Sequence, residues 1–232
     1  MGHSCLGTSV GRSRDQGRNM EKLFREKQMI RTVILLAAGL IFPRPSFCGE
    51  HYRIEPGQSA VNFSVKHMVL STVRGKFTDF SGSLDLEEND LTKSSVTVKI
   101  NAASIITENT LRDKDLRSPN FLDTEKYPEI TFVSRRVVKQ NDGYLLVGDL
   151  NMHGVSKEVD IPVTYNGRVK DLAGKMRIGF EGHVTINRKE WGITYSKVAD
   201  NGGLVAANEV TIELDIEAMS MPVKSEDHID QK

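Results

Sequence analysis

Cysteine is almost absent from this 232-residue chain: there are two, Cys5 and Cys48. Both precede the patterned region, so the folded part can hold no disulfide and no cysteine-based metal site. Net charge is missing as well. Lys plus Arg number 31, and so do Asp plus Glu, which leaves no overall field to gather nucleic acid or an anionic surface. Nucleic acid is therefore set aside as a partner. No G-x-S-x-G elbow, no G-x-G-x-x-G loop and no phosphate-binding P-loop occurs. His67, His153 and His183 are too far apart in sequence to form an H-x-x-x-H type of metal pair. No Pro/Gly/Ser-rich linker divides the middle of the chain, which reads as one domain.

What is present is alternation. From Tyr52 to Ala218 apolar residues recur at every second position, as in Val61, Phe63, Val65 and again in Val210, Ile212, Leu214, Ile216. This is the pattern of an antiparallel sheet with one apolar face. Strands are expected over Tyr52 to Met68 with an early turn at Pro56-Gly57, then Val73 to Leu86, Val96 to Ala102, Ile130 to Val138, Tyr144 to Met152, Val155 to Tyr165, Met176 to Ile186 and Leu204 to Ile216. Turns are expected at Asn141-Asp142-Gly143 and at Asn166-Gly167. Residues 107–122 break the period with Leu111, Leu116 and a run of charges, which suits a short helical insert across one end.

The fold class that follows is all-β, a closed antiparallel up-and-down barrel of about eight strands with that one insert. A barrel of this size has room inside for a small apolar guest. A sandwich would use the same alternation to build a solid core.

Three segments are expected: an N-terminal extension and signal peptide over residues 1–48, the barrel over 49–218, and a disordered polar tail over 219–232. The first rests on Lys22, Arg25, Lys27 and Arg31 ahead of the short apolar run Val33 to Phe42, with small residues near Cys48. A periplasmic or secreted location after cleavage near Cys48 follows from it.

By parity the interior is lined by Val61, Phe63, Val65, His67, Val98 and Ile100 from the first half of the barrel. Ile130, Phe132, Leu146, Ile178, Phe180 and Leu214 complete it, with Phe77, Phe121 and Trp191 near an end. His67 shares the parity of its apolar neighbours, as a hydrogen-bonded core histidine or as a polar contact for a guest's head group. Arg112 either pairs with Asp113 or offers its fork of donors to an anionic head. Arg188 has the same two options, and Trp191 suits packing.

Spaced motifs carry a resemblance across Tyr52 to Ala218. They are His67 with Val73-Arg74-Gly75-Lys76-Phe77; Thr107, Asn109, Arg112-Asp113, Leu116 and Phe121; Tyr127-Pro128-Glu129-Ile130-Thr131-Phe132 with Ser134; Gly148, Leu150 and His153-Gly154-Val155; and Asn187-Arg188 with Trp191-Gly192-Ile193. Together they resemble the YceI-like polyisoprenoid-binding family. The resemblance implies an exported, lipocalin-like barrel that holds a polyisoprenoid lipid, either a prenyl pyrophosphate or an isoprenoid quinone, for transport, storage or sequestration. It implies no catalytic residues and no intrinsic cofactor. A homodimer and transient membrane contact during cargo exchange are compatible with it. Two other classes stand beside it: a lipid isomerase or hydrolase with His67 as base and Asp113 or Glu190 as its partner, and a protein-interaction module using the outer strands.

Overall fold

The computed structural model describes residues 49–68, 70–196 and 206–221, which lie within one compact unit, residues 48–232. The expected signal peptide and the tail beyond Met221 lie outside the described residues. The strands are β1 (Glu50–Ile54), β2 (Ala60–His67), β3 (Ser71–Phe77), β4 (Phe80–Leu86), β5 (Ser95–Asn101), β6 (Ile105–Ile106), β7 (Glu129–Gln140), β8 (Gly143–Met152), β9 (Val155–Lys170), β10 (Met176–Asn187) and β11 (Ala206–Ser220). Among the described residues one α-helix, α1 (Thr110–Arg117), follows β6. Among the described residues no helix is long and apolar enough to cross a membrane.

Six of these strands are halves of three broken staves. β1 and β2 are parted by the 3-10 turn Pro56–Gln58, where Pro56 has no N–H to give to a ladder. Both halves still pair with β11, Ile54 with Ala218 and Ala60 with Asp215. β3 and β4 face β2 and β1 in the same way, and β5 and β6 are parted by the 3-10 turn Ala102–Ser104. With β7 to β11 this makes eight antiparallel staves, and the β1–β11 pairing closes the ring. The expected closed barrel is thus the observed one.

Two details differ from the sequence expectation. β9 runs through Asn166-Gly167 to Lys170, because Gly179 pairs with Gly167 and Phe180 with Tyr165, leaving Asn166 as an extra residue. An Asn-Gly pair supplies positive φ to a tight turn and to a bulge alike, and here Gly167 sits at φ 103 within a strand. The real turn follows at Asp171, whose Oδ1 accepts from the amides of Ala173 and Lys175, both at 2.9 Å. The Lys175 amide and the Arg177 guanidinium hold the Asp171 carboxyl below its ordinary range. Second, the barrel ends at Ser220 rather than 218: Ser220 pairs with Tyr52 and its hydroxyl accepts from the Met176 amide, while Met219 is buried. The short helical insert expected within residues 107–122 is the eight-residue α1; Asn109 caps it by accepting from the Arg112 amide at 3.0 Å.

β7 bends at a bulge between Ser134 and Arg136, opposite Gly148. A Cβ on Gly148 would lie 2.5 Å from the Val133 carbonyl oxygen and 2.6 Å from the Phe132 ring. Gly148→Ala is therefore expected to lower stability by about 1–3 kcal/mol, seen as a lower urea midpoint at unchanged m-value.

A hollow apolar interior and its mouth

Inward residues of the eight staves surround a cavity of about 480 Å³, within the range of small-molecule sites, about 300–1,000 Å³. Its walls run from Leu86 and Leu91 at one end of the barrel to His67 and Arg188 at the other. The twelve residues of β10 give the barrel roughly 30 Å of axial length at the usual rise and tilt. The interior is thus elongated and nearly all aliphatic or aromatic.

Fourteen of the sixteen candidate site residues line this cavity. Val61, Phe63, Val65 and His67 come from β2, Phe77 from β3, Val98 and Ile100 from β5, and Ile130 and Phe132 from β7. Leu146 comes from β8, Phe180 from β10, Leu214 from β11, Arg112 from α1 and Phe121 from the segment after it. Ile178 and Trp191 do not. Ile178 is 1 % exposed, packed with Tyr52, Ile54 and Ala218 at the far end. Trp191 is 2 % exposed in the other core cluster, its Nε1 donating to the Leu150 carbonyl at 3.1 Å.

Parity missed several wall residues that it could have found. Val159, Ile161 and Val163 alternate with Glu158, Asp160 and Pro162 on β9, and Val184, Ile186, Val210 and Ile212 continue strands already read correctly. Gly182 was invisible to an apolar count, yet it faces the lumen between Val163 and Leu214.

Polar groups gather at the end where β6 gives out. β6 covers only Lys76 and Phe77 of β3, and α1 follows where a longer strand would have continued. Arg112 donates from Nε to Thr107 Oγ1 at 2.7 Å and from Nη2 to the Thr107 carbonyl at 2.9 Å. Thr107 in turn gives its hydroxyl and its amide to Asp113 Oδ1 at 2.6 and 2.8 Å. The direct Arg112–Asp113 pair that the sequence allowed is thus replaced by a relay through Thr107. Two of the five guanidinium N–H groups are used, and the rest of the side chain borders the cavity.

Arg188 is 5 % exposed and also borders it. Its Nη1 donates to the carbonyls of Ile193 and Tyr195, both at 2.8 Å, and its Nε to that of Ala207 at 3.1 Å. Burial lowers its pKa, but a guanidinium keeps its charge, so a cation without a carboxylate partner among the described residues sits in the wall.

His67 reaches the cavity, but the partners proposed for it as a base are engaged elsewhere. Asp113 serves Thr107, and Glu190 is 3.8 Å from Lys157 Nζ. His153 lies against Tyr127 with its Nδ1 3.1 Å from the Trp191 carbonyl, and His183 is exposed opposite Glu213. The three histidines therefore occupy separate places.

Comparison with known proteins agrees with this geometry. The family model described as the YceI-like domain matches residues 52–218. A UPF0312 protein of Yersinia enterocolitica is 36 % identical over 192 residues, covering 82 % of this chain and 97 % of that protein. One from Serratia proteamaculans is 38 % identical over 167 residues, covering 71 % and 87 %. Among solved structures, Burkholderia cenocepacia BcnA superposes with a TM-score of 0.63 at 21 % identity, over 71 % of this chain and 98 % of that one. A polyisoprenoid binding domain from Saccharophagus degradans gives 0.52 at 15 % identity, over 73 % and 98 %.

Proposed function

The chain belongs to the YceI-like domain family, and from that premise we propose that it is an exported binding protein holding a long-chain polyisoprenoid lipid in its barrel. Its role is then transport, storage or sequestration, in the periplasm or outside the cell, after cleavage near Cys48. The observation that carries the reading is one continuous cavity with apolar walls along the barrel, rather than a filled core. Each 100 Å² of hydrocarbon moved from water into such a space gains about 2.5 kcal/mol. A flexible chain of branched units suits aliphatic walls that offer no hydrogen bonds to satisfy. The ligand class itself comes from the Saccharophagus degradans domain, which is described as polyisoprenoid binding.

Of the two head groups considered, prenyl pyrophosphate or isoprenoid quinone, the mouth favours the anion. Arg112 is fixed by Thr107 with donors to spare, and the wall charge of Arg188 has no carboxylate partner among the described residues. Arg112→Gln is expected to weaken binding of a long-chain prenyl pyrophosphate by about 10-fold or more, the loss of a charge-assisted hydrogen bond. Binding of the prenyl alcohol of equal length should change little. Equal losses for both ligands would remove the head-group assignment, and failure of the unaltered protein to bind either would remove the carrier reading.

A further inference from the structure

The balanced charge of the whole chain conceals a local segregation at the cavity mouth. The hairpin formed by β2 and β3 carries Lys66, Arg74 and Lys76 and no acidic residue. Neither these three nor Lys114 on α1 forms an ion pair among the described residues; Lys139, Lys170 and Lys175 share that condition at the other end, where Lys93, Arg168 and Arg177 nevertheless hold carboxylates.

Two large apolar side chains are exposed at this end, as Val169 and Leu172 are at the opposite end. Leu70 in the β2–β3 turn is 86 % exposed and Leu111 on α1 is 81 % exposed. His67 and Val73, on either side of Leu70, both line the cavity, and so does Arg112 beside Leu111. The antiparallel pairing of Lys76 with Ile106 also carries the chain after β6 back alongside β3 toward that turn. A single exposed leucine is ordinary on a protein surface. Two of them, at the opening of an apolar lumen and beside uncompensated cations, form the pattern of a surface that meets lipid. Glu108 and Asp115 lie at this end too and offset part of the positive charge of α1, and Glu209, next to the Val210 that pairs with Val65, offsets part of that at Lys66, leaving Arg74 and Lys76.

We propose that this end of the barrel docks on an anionic phospholipid bilayer. Leu70 and Leu111 enter the headgroup region, and Lys66, Arg74 and Lys114 face lipid phosphates. The purpose of docking, handing an oily cargo over without exposing it to water, rests on the carrier reading; the docking itself does not. Each basic side chain near an anionic surface strengthens attachment by about fivefold, and the two leucines add a contribution that salt does not screen.

The test uses the chain from Gly49 onward, from which both core clusters are drawn, in flotation with vesicles of phosphatidylcholine alone or mixed equally with phosphatidylglycerol. The protein is expected to float with the mixed vesicles at low salt and to be released at high salt. Leu70→Ser with Leu111→Ser, and separately Arg74→Gln with Lys114→Gln, should each weaken binding by about tenfold. All four side chains are exposed, so unchanged circular dichroism and urea midpoint show that the fold is intact. Absence of binding to the mixed vesicles, or binding that survives the leucine pair undiminished, overturns the proposal. Organic extraction of the same preparation reads the cargo separately, so a failure of docking and a failure of the carrier reading give different results.

Discussion

Trp191→Ala is expected to cost about 3–5 kcal/mol of stability, the usual loss for a large aromatic removed from a packed core. The indole is 2 % exposed among Ala102, Ile105, Leu122 and Ile193, and its Nε1–H answers the Leu150 carbonyl. Its own carbonyl lies 3.1 Å from His153 Nδ1, so the same residue ties the loop after β10 to the β8–β9 turn. Trp191→Phe keeps most of the ring and loses the Nε1–H bond, and it should recover more than half of that stability. Urea unfolding of the three proteins decides the matter. A loss below about 1 kcal/mol for the alanine variant would show that the indole is not the packing element described here.

Gly182→Phe should have the opposite profile, with stability retained and cargo lost. A Cβ at this position meets side-chain methyls rather than backbone, Leu214 Cδ1 at 3.3 Å, Val163 Cγ1 at 3.4 Å and Ile161 Cγ2 at 3.5 Å, so its neighbours need to give by only a few tenths of an ångström. Strand interiors favour an aromatic over glycine, which offsets the crowding, so the urea midpoint should correspond to less than about 1.5 kcal/mol of change. The ring has nowhere to go except the lumen, because Gly182 faces inward from β10 between β9 and β11. Lipid retained through purification should then fall by about tenfold or more, one ring's volume being a large share of a small-molecule site. Gly182→Ala should keep its cargo. Full retention by the phenylalanine variant would mean that lipid does not sit in this part of the barrel.

The inner face of the barrel was legible because strand periodicity is two, so parity ties each side chain to one surface. Val61, Phe63 and Val65, or Phe180 and Leu214, could not have been shifted by one residue without turning a whole strand inside out. Parity gives direction only. It cannot say whether the space ahead of a side chain is filled by the protein's own atoms, which is why Ile178 was placed in the lumen and Gly182 was overlooked. Asn166-Gly167 failed for a related reason, since positive φ serves a bulge as well as a turn. The relay from Arg112 through Thr107 to Asp113 and the carbonyl clamp around Arg188 depend on how the chain folds back at the barrel end, and no local pattern announces either. Closure by β1 against β11 joins the two ends of the domain. It followed only from the need to hide the apolar face of a long sheet.

The central claim is a barrel that keeps its axis open for an oily chain. Native mass spectrometry of the protein purified from its own host tests it most directly. The account predicts one bound molecule per protein, with masses stepping by one isoprene unit wherever several chain lengths are present. Bare protein alone, or adducts with the masses of diacyl phospholipids, would contradict it.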